Sequence, residues 1–411
     1  MAVTDTAMPG TAELLAAARA LQPSLLTLRR AVHEHPEIGL RLPHTQRLIL
    51  DALRGLPLHV VEGRDASSIT AVLEGARPGP TVVLRADMDA LPLTEEPGAH
   101  PVSSVPGRMH ACGHDLHAAM LVGAAELLSG RRFAGRVVFV WQPGEEGYDG
   151  MQVMLDEGLL GIIGPAPIAT YALHTLADTV AHGVFTGRAG ASHASSATVR
   201  ITVRGRGGHA AFPHAAADPV PVAAEILTAL QVRLTRAVDV FDPAILTIGS
   251  IQAGEAPNVI PDQVVMTGTA RVFSAEQEAR LPELVAQVVS GVAAAHGVEA
   301  TTEYIAGYPV VTNDEAEVAR FRDVITELFG SGRFRSLDAP IPAGDDYARL
   351  LQQIPGAFFL LGAGLASADG MVHANHSSRA VFDDNLLADG AAALAAVTLR
   401  RLSDHPNGEE K

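Results

Sequence analysis

Apolar residues recur at helical spacing in "TAELLAAARALQPSLLTLRRAVHEHPE", which predicts a helix interrupted by its proline and ending near Pro36. Short runs rich in Val, Leu and Ile follow, "SSITAVLEG" and "TVVLRADMDALP", and predict strands. "DLHAAMLVGAAELLSG" returns to helical spacing, with Asp115 where an N-cap belongs and a glycine near its end. "GRVVFVWQPGEEG" reads as a strand breaking into a loop at Pro143, and "APIATYALHTL" as another buried strand. Strands alternating with helices predict an α/β domain with a largely parallel or mixed sheet.

The rhythm then changes. "SSATVRITVRG" alternates with period two, as a half-buried antiparallel strand does. A helix is predicted at about 218–236, strands at "AILTIGSIQAG" and "QVVMTGTARVF", a second helix near 276–296 and a last strand at "VEATTEYIAGY". That β-α-β-β-α-β order predicts a ferredoxin-like α+β domain. Beyond Pro309, "AEVARFRDVITELFG", "GAFFLLGAG" and "NLLADGAAALAAVTLRRL" mix helix and strand again. The expected organisation is one discontinuous domain, 1–190 plus 309–411, interrupted by an inserted domain at 191–308.

A length of 411 residues agrees with roughly two to three domains. Hydrophobic residues make up 47% and aromatic residues only 4%, so the expected core is mostly aliphatic. No apolar run reaches the length of a membrane span, and "MAVTDTAMPG" lacks the pattern of a secretory signal. The chain has one cysteine, which excludes an intramolecular disulfide and agrees with a cytoplasmic location. A net charge of −16 argues against binding a nucleic-acid backbone. Lys411 is the only lysine, so Schiff-base and phosphate-loop lysine chemistry is excluded, and no G-x-S-x-G elbow occurs. Reactivity has to come from His, Cys, Asp, Glu or a metal.

Four stretches carry such groups. "MHACGHD" holds the single thiol, Cys112, two positions before His114; thiolate and imidazole are ligands for zinc-like ions. "QPGEEG" offers adjacent carboxylates, Glu145 and Glu146, just past a strand end. One can hold a metal while its neighbour faces a water, the division of labour that metal-assisted hydrolysis needs. His174 follows the apolar "ATYAL", and "GMVHANHSSRAVFDD" supplies His373 and His376. Each stretch alone has a bland reading: a buried small thiol, a solvated acidic loop, a core histidine. Their shared placement at strand ends and helix starts favours one site at one edge of the sheet.

These residues resemble the dinuclear aminoacylase/carboxypeptidase-G-like metallopeptidases, specifically the hippurate hydrolase and indole-acetyl-amino-acid hydrolase branch. "LRADMDALP", "MHACGHDLH", "QPGEEG", "GGHAAFPH", "NVIPD", "GTARVF" and "IPGAFFLLGAG" occur in the family's order over nearly the whole chain. The resemblance implies a zinc-peptidase-like mixed-sheet catalytic domain with an inserted dimerisation domain, hence a homodimer. It implies two divalent metal ions per subunit, zinc or manganese with cobalt or nickel as alternatives, held by Cys112, His114, Glu146, His174 and a C-terminal histidine. His376 is the expected last ligand, because its distance to Phe382 and Asp384 fits the family's downstream phenylalanine and acid. Glu145 matches the general base and Asp89 an acid that orients a ligand. His209, Asn258 and Arg271 resemble the substrate-binding residues. The family's Gly-x-Glu-Asp-Phe stretch reads "AGDDYA" here.

The implied activity is hydrolysis of the amide bond of an N-acyl or N-aroyl amino acid. The metals would polarise the carbonyl and activate a water, Glu145 would take its proton, and His209 would donate to the oxyanion. Arg271 and Asn258 would hold the free carboxylate. A dipeptidase or aminobenzoyl-glutamate hydrolase of the same fold is the alternative. A catalytically inactive metal-binding homologue would lack a ligand or the base, and none is missing.

Overall fold

The structure, a computed structural model, describes residues 10–96, 102–165 and 167–404. The chain divides into two compact units. One takes the residues up to Gly190, Thr312–Asp338 and those from Arg349 on; the other takes Ala191–Val311 and Ala339–Ala348. The stretch 339–348, expected in the first domain, therefore lies with the second. The reason is local pairing: Ile341 exchanges backbone hydrogen bonds with Ser192 and Ala194.

The first unit holds an eight-stranded mixed sheet in the order Leu58–Glu62, Ile69–Glu74, Ala134–Gln142, Arg77–Asp87, Pro167–Leu176, Gly356–Gly362, Phe185–Gly187 and Phe334–Ser336. The strands from Ala134–Gln142 through Gly356–Gly362 run parallel. Their near-continuous apolar runs, such as Val137–Trp141 and Ala357–Leu361, are buried, as strands covered on both faces must be. Helices His114–Ser129 and Leu387–Ser403 pack on the central strands. The first of them is buried almost all round, so it lies inside the unit.

Helix Thr11–Glu34 packs on both of those helices. It runs unbroken through Pro23, where an interruption was expected. Burial of Leu14, Ala18, Leu25 and Val32 on one face offsets a proline penalty of about 3 kcal/mol. The N-cap of His114–Ser129 is Gly113, in the left-handed region at φ 83°, and not Asp115 as expected. Asp115 is instead turned inward and buried.

The second unit is a four-stranded antiparallel sheet in the order Ala244–Ala253, Gln263–Val272, Ala197–Arg204 and Glu299–Ala306. Helices Pro219–Ala237 and Ala275–Ala295, capped by the side chains of Asp218 and Ser274, pack together beside it. This is the ferredoxin-like order the periodicity predicts. Its core is small and aliphatic: Val199, Ile201, Val203, Ile226, Leu230, Met266 and Val285.

Candidate metal centre and active site

Parallel strands deliver their side chains to one edge. Asp87 closes strand Arg77–Asp87, Gln142 closes Ala134–Gln142 just before the Glu145–Glu146 pair, and His174 and Thr175 lie in the last turn of pleat of Pro167–Leu176. His174 thus lies within the strand that "APIATYALHTL" predicts. Helix His114–Ser129 begins at the same edge. Gly113 makes that start feasible: its φ is 83°, and a Cβ there would come 2.2 Å from Thr175 Oγ1.

Five of the expected residues meet here. Cys112 Sγ lies 3.5 Å from His174 Nε2 and 3.2 Å from His376 Nε2. His376 Nε2 is 3.1 Å and His114 Nε2 is 3.9 Å from Glu146 Oε1. Donor atoms 3.1–3.9 Å apart suit bonds of about 2.0–2.3 Å converging on shared cations. His114 Nε2 is fully buried and finds no hydrogen-bond partner among the described residues, a cost that a bound cation would remove. Cys112, His114 and Glu146 form one group whose ligand atoms lie within 4.8 Å of one another; Asp87, His114, His117 and His174 form another. The donor set of thiol, imidazole and carboxylate fits a zinc-like pair of ions.

Electrostatics favour positive charge at this place. The Cys112 thiol and the Glu146 carboxylate push the His376 imidazole up to about 10. Burial opposes charge on His114, yet Asp87, Asp89 and Cys112 hold its pKa well above the usual value. His376 is exposed, which leaves the cluster open on one side, as catalytic centres require. Its own backbone sits at φ 68°, an unusual conformation for a non-glycine residue, held by its N–H donating to Ala111 O at 2.9 Å. His373, the other C-terminal candidate, pairs with Asp369 at 2.9 Å.

Asp89 is buried beneath the Glu pair. Its two carboxylate oxygens accept the backbone N–H groups of Glu145 and Glu146, each at 3.1 Å, and Oδ1 lies 3.5 Å from His114 Nδ1. One carboxylate thereby fixes the turn carrying both acids. Glu145 is itself buried.

The sequence reading missed a polar frame behind these groups. Asp87 accepts from Arg85 at 2.6 Å and from His117 Nδ1 at 2.5 Å, and Arg85 donates on to Gln142. Asn375 donates to Thr175 O and Cys112 O, and accepts from the Ala177 N–H. His33, for which sequence offered no partner, binds Asp115 at 2.7 Å and Glu95 at 3.2 Å; Arg29 also reaches Asp115, at 2.9 Å. The signal was present as buried-type polar residues inside apolar runs, but apart from the Arg85–Asp87 pair their partners lie 30 to 263 positions away.

His209, Asn258 and Arg271 lie in the second unit. Strand Gly208–His209 pairs with Val259–Ile260, and the Ala210 N–H donates to Asn258 O, so His209 and Asn258 are neighbours. The Phe212 ring packs against both His209 and His214. Arg271 sits in strand Gln263–Val272 and donates to Ala270 O.

Comparison with known proteins gives concordant matches. A family model described as "Peptidase family M20/M25/M40" matches residues 83–400. The chain is 31% identical to thermostable carboxypeptidase 1 of Saccharolobus solfataricus, over 93% of this chain and 96% of that protein. It is 37% identical to an N-acetyldiaminopimelate deacetylase of Halalkalibacterium halodurans, over 83% and 91% of the two chains. Among solved structures it is similar to the YXEP protein of Bacillus subtilis, described as a dinuclear metal binding peptidase. The TM-score is 0.80 and the identity 29%, over 94% of this chain and 99% of that one.

Proposed function

This chain belongs to peptidase family M20/M25/M40 and is a metal-dependent amidohydrolase, and from that premise we propose that it cleaves the amide bond of N-acyl and N-aroyl amino acids, hippurate-like compounds among them. The observation that carries this reading is the convergence of Cys112, His114, Glu146, His174 and His376 beside an adjacent buried carboxylate, Glu145. In this reading those five residues hold two divalent ions, zinc or manganese by donor type, with cobalt and nickel also compatible. Such a pair supplies Lewis acidity, which polarises a carbonyl and acidifies water.

The remaining steps belong to the chain's own groups. Glu145 accepts the proton of the attacking water and returns it to the leaving amine nitrogen. Asp89, through its two backbone hydrogen bonds, keeps Glu145 and Glu146 facing their separate tasks. His209 donates to the oxygen that becomes negative, and Arg271 with Asn258 binds the free carboxylate of the amino-acid half. The enzyme acts in the cytoplasm as a homodimer joined through the second unit. No helix among the described residues is long and apolar enough to cross a membrane.

The likeness to a carboxypeptidase supports a second reading, cleavage of a C-terminal peptide bond. Both readings need a substrate with a free carboxylate, and they separate on the acyl half. Assays on hippurate, N-acetyl amino acids, aminobenzoyl-glutamate and dipeptides rank them. Glu145→Ala should lower turnover by about 10²–10⁴-fold while elemental analysis finds unchanged metal content. Undiminished turnover in that variant overturns the assignment.

A further inference from the structure

His117 belongs to a group of side chains spaced closely enough to ligate an ion, together with Asp87, His114 and His174. Its ring packs against two of the proposed ligands, with centroids 5.4 Å from His114 and 4.5 Å from His174. Both of its nitrogens are nevertheless already engaged. The Thr175 backbone N–H donates to His117 Nε2 at 2.7 Å, and the Thr175 hydroxyl lies 2.8 Å from the same nitrogen. An amide N–H is only ever a donor, so Nε2 must present its lone pair. On the other side, Nδ1 lies 2.5 Å from the Asp87 carboxylate, which Arg85 also holds. A carboxylate so placed accepts, so Nδ1 carries the proton.

The opposite tautomer would set two N–H groups against each other at Nε2 and two lone pairs against each other at Nδ1. A doubly protonated ring would keep the first clash. One state satisfies every partner: neutral, with hydrogen on Nδ1.

We infer that His117 is a positioning residue and not a metal ligand: it joins Asp87 to the Thr175 amide and thereby locks the helix that begins at His114 onto the strand that carries His174. No lone pair is left for an ion. The helix is fixed through its first turn, which begins with His114, two residues after Cys112. The strand is fixed one residue past His174, and Asn375 extends the frame from Thr175 O to Cys112 O. Every element of the frame lies within the first unit. The inference rests on the proposed metal site for its meaning, but the tautomer stands or falls independently of it.

The test uses the full-length protein with ¹⁵N-labelled histidine. Long-range ¹H–¹⁵N correlation spectra are recorded metal-free and after zinc addition, and His117 is assigned by its absence in His117→Gln. The expected result is a protonated Nδ1 and a bare Nε2 in both states. A protonated Nε2, or a zinc-induced displacement of its resonance like that of a ligand, overturns the inference.

Cobalt titration, followed by the thiolate absorption band, supplies the functional arm. Glutamine keeps one donor and one acceptor, so His117→Gln should bind the wild-type number of cobalt ions with half-saturation shifted by no more than about threefold. His117→Phe removes both and should bind the same number about 10- to 100-fold more weakly. Loss of one equivalent in both variants would make His117 a ligand, and a phenylalanine variant equal to wild type would remove its positioning role. If the wild-type protein bound neither cobalt nor zinc, the metal-site reading would fall, while the metal-free spectrum would still decide the tautomer.

Discussion

Asp115 shows how much a single side chain can differ from its sequence-level role. Its type and place suggest an exposed helix cap, yet it is buried against Arg29 and His33. Burial alone would raise its pKa, but Arg29 and His33 hold the carboxyl far below the usual carboxylate range. A folded-state pKa below the unfolded value of 3.8 means that the stabilisation is complete above that pH. It is lost progressively as pH falls below it. Arg29→Met should cost up to about 3–5 kcal/mol at pH 7, because it leaves His33 as the remaining partner of a buried carboxylate. That penalty should shrink near pH 3, where a carboxyl deprived of the guanidinium takes up a proton more readily. Trp141 is the only tryptophan and is fully buried in the first unit, so its fluorescence during urea unfolding reads that unit directly. An equal penalty at both pH values would refute the account. At this scale the ligand types and their order were legible, because thiol, imidazole and paired carboxylates are rare enough to stand out. Their supports were not, since Asp87, Thr175 and Asn375 are ordinary residues whose meaning arises only from distant partners.

Elements were the most legible level, because apolar period and turn residues are local properties. The strands "SSITAVLEG" and "GAFFLLGAG" and the alternation in "SSATVRITVRG" appear where their patterns put them. The misreadings arose where tertiary contact outweighs local preference. Pro23 stays helical because the surrounding helices bury its neighbours, and the start of His114–Ser129 is set by the need of Gly113 for a left-handed backbone in contact with Thr175. Gly113→Ala should therefore destabilise the first unit by about 1–2 kcal/mol for the backbone alone, with the steric clash added to it. The same change should weaken cobalt binding, because it displaces Cys112. Urea unfolding and the cobalt titration check the two effects; a variant as stable and as tight as wild type would contradict the geometry.

For the whole molecule, the inserted domain was visible as a change from helical to alternating rhythm near residue 191. The second excursion at 339–348 was invisible, because ten residues with no periodicity give no pattern to read. Strand Ala244–Ala253 ends the second unit's sheet and exposes Ile245 and Ile251, the kind of edge that another chain can cover. If the protein forms the proposed homodimer and the dimer uses this edge, Ile251→Arg should shift it from dimer to monomer in sedimentation velocity without altering the fluorescence of Trp141. A variant that remains dimeric would move the interface elsewhere. Strand Gly356–Gly362, buried along its whole length, lies between Pro167–Leu176 and Phe185–Gly187 although about 170 residues of chain separate it from the nearer of them and about 180 from the other. During synthesis on the ribosome, the gap it fills must stay open until those late residues emerge from the exit tunnel. At about 5–20 residues per second, an unfinished hydrophobic seam therefore persists for many seconds and invites chaperones or a neighbouring nascent chain.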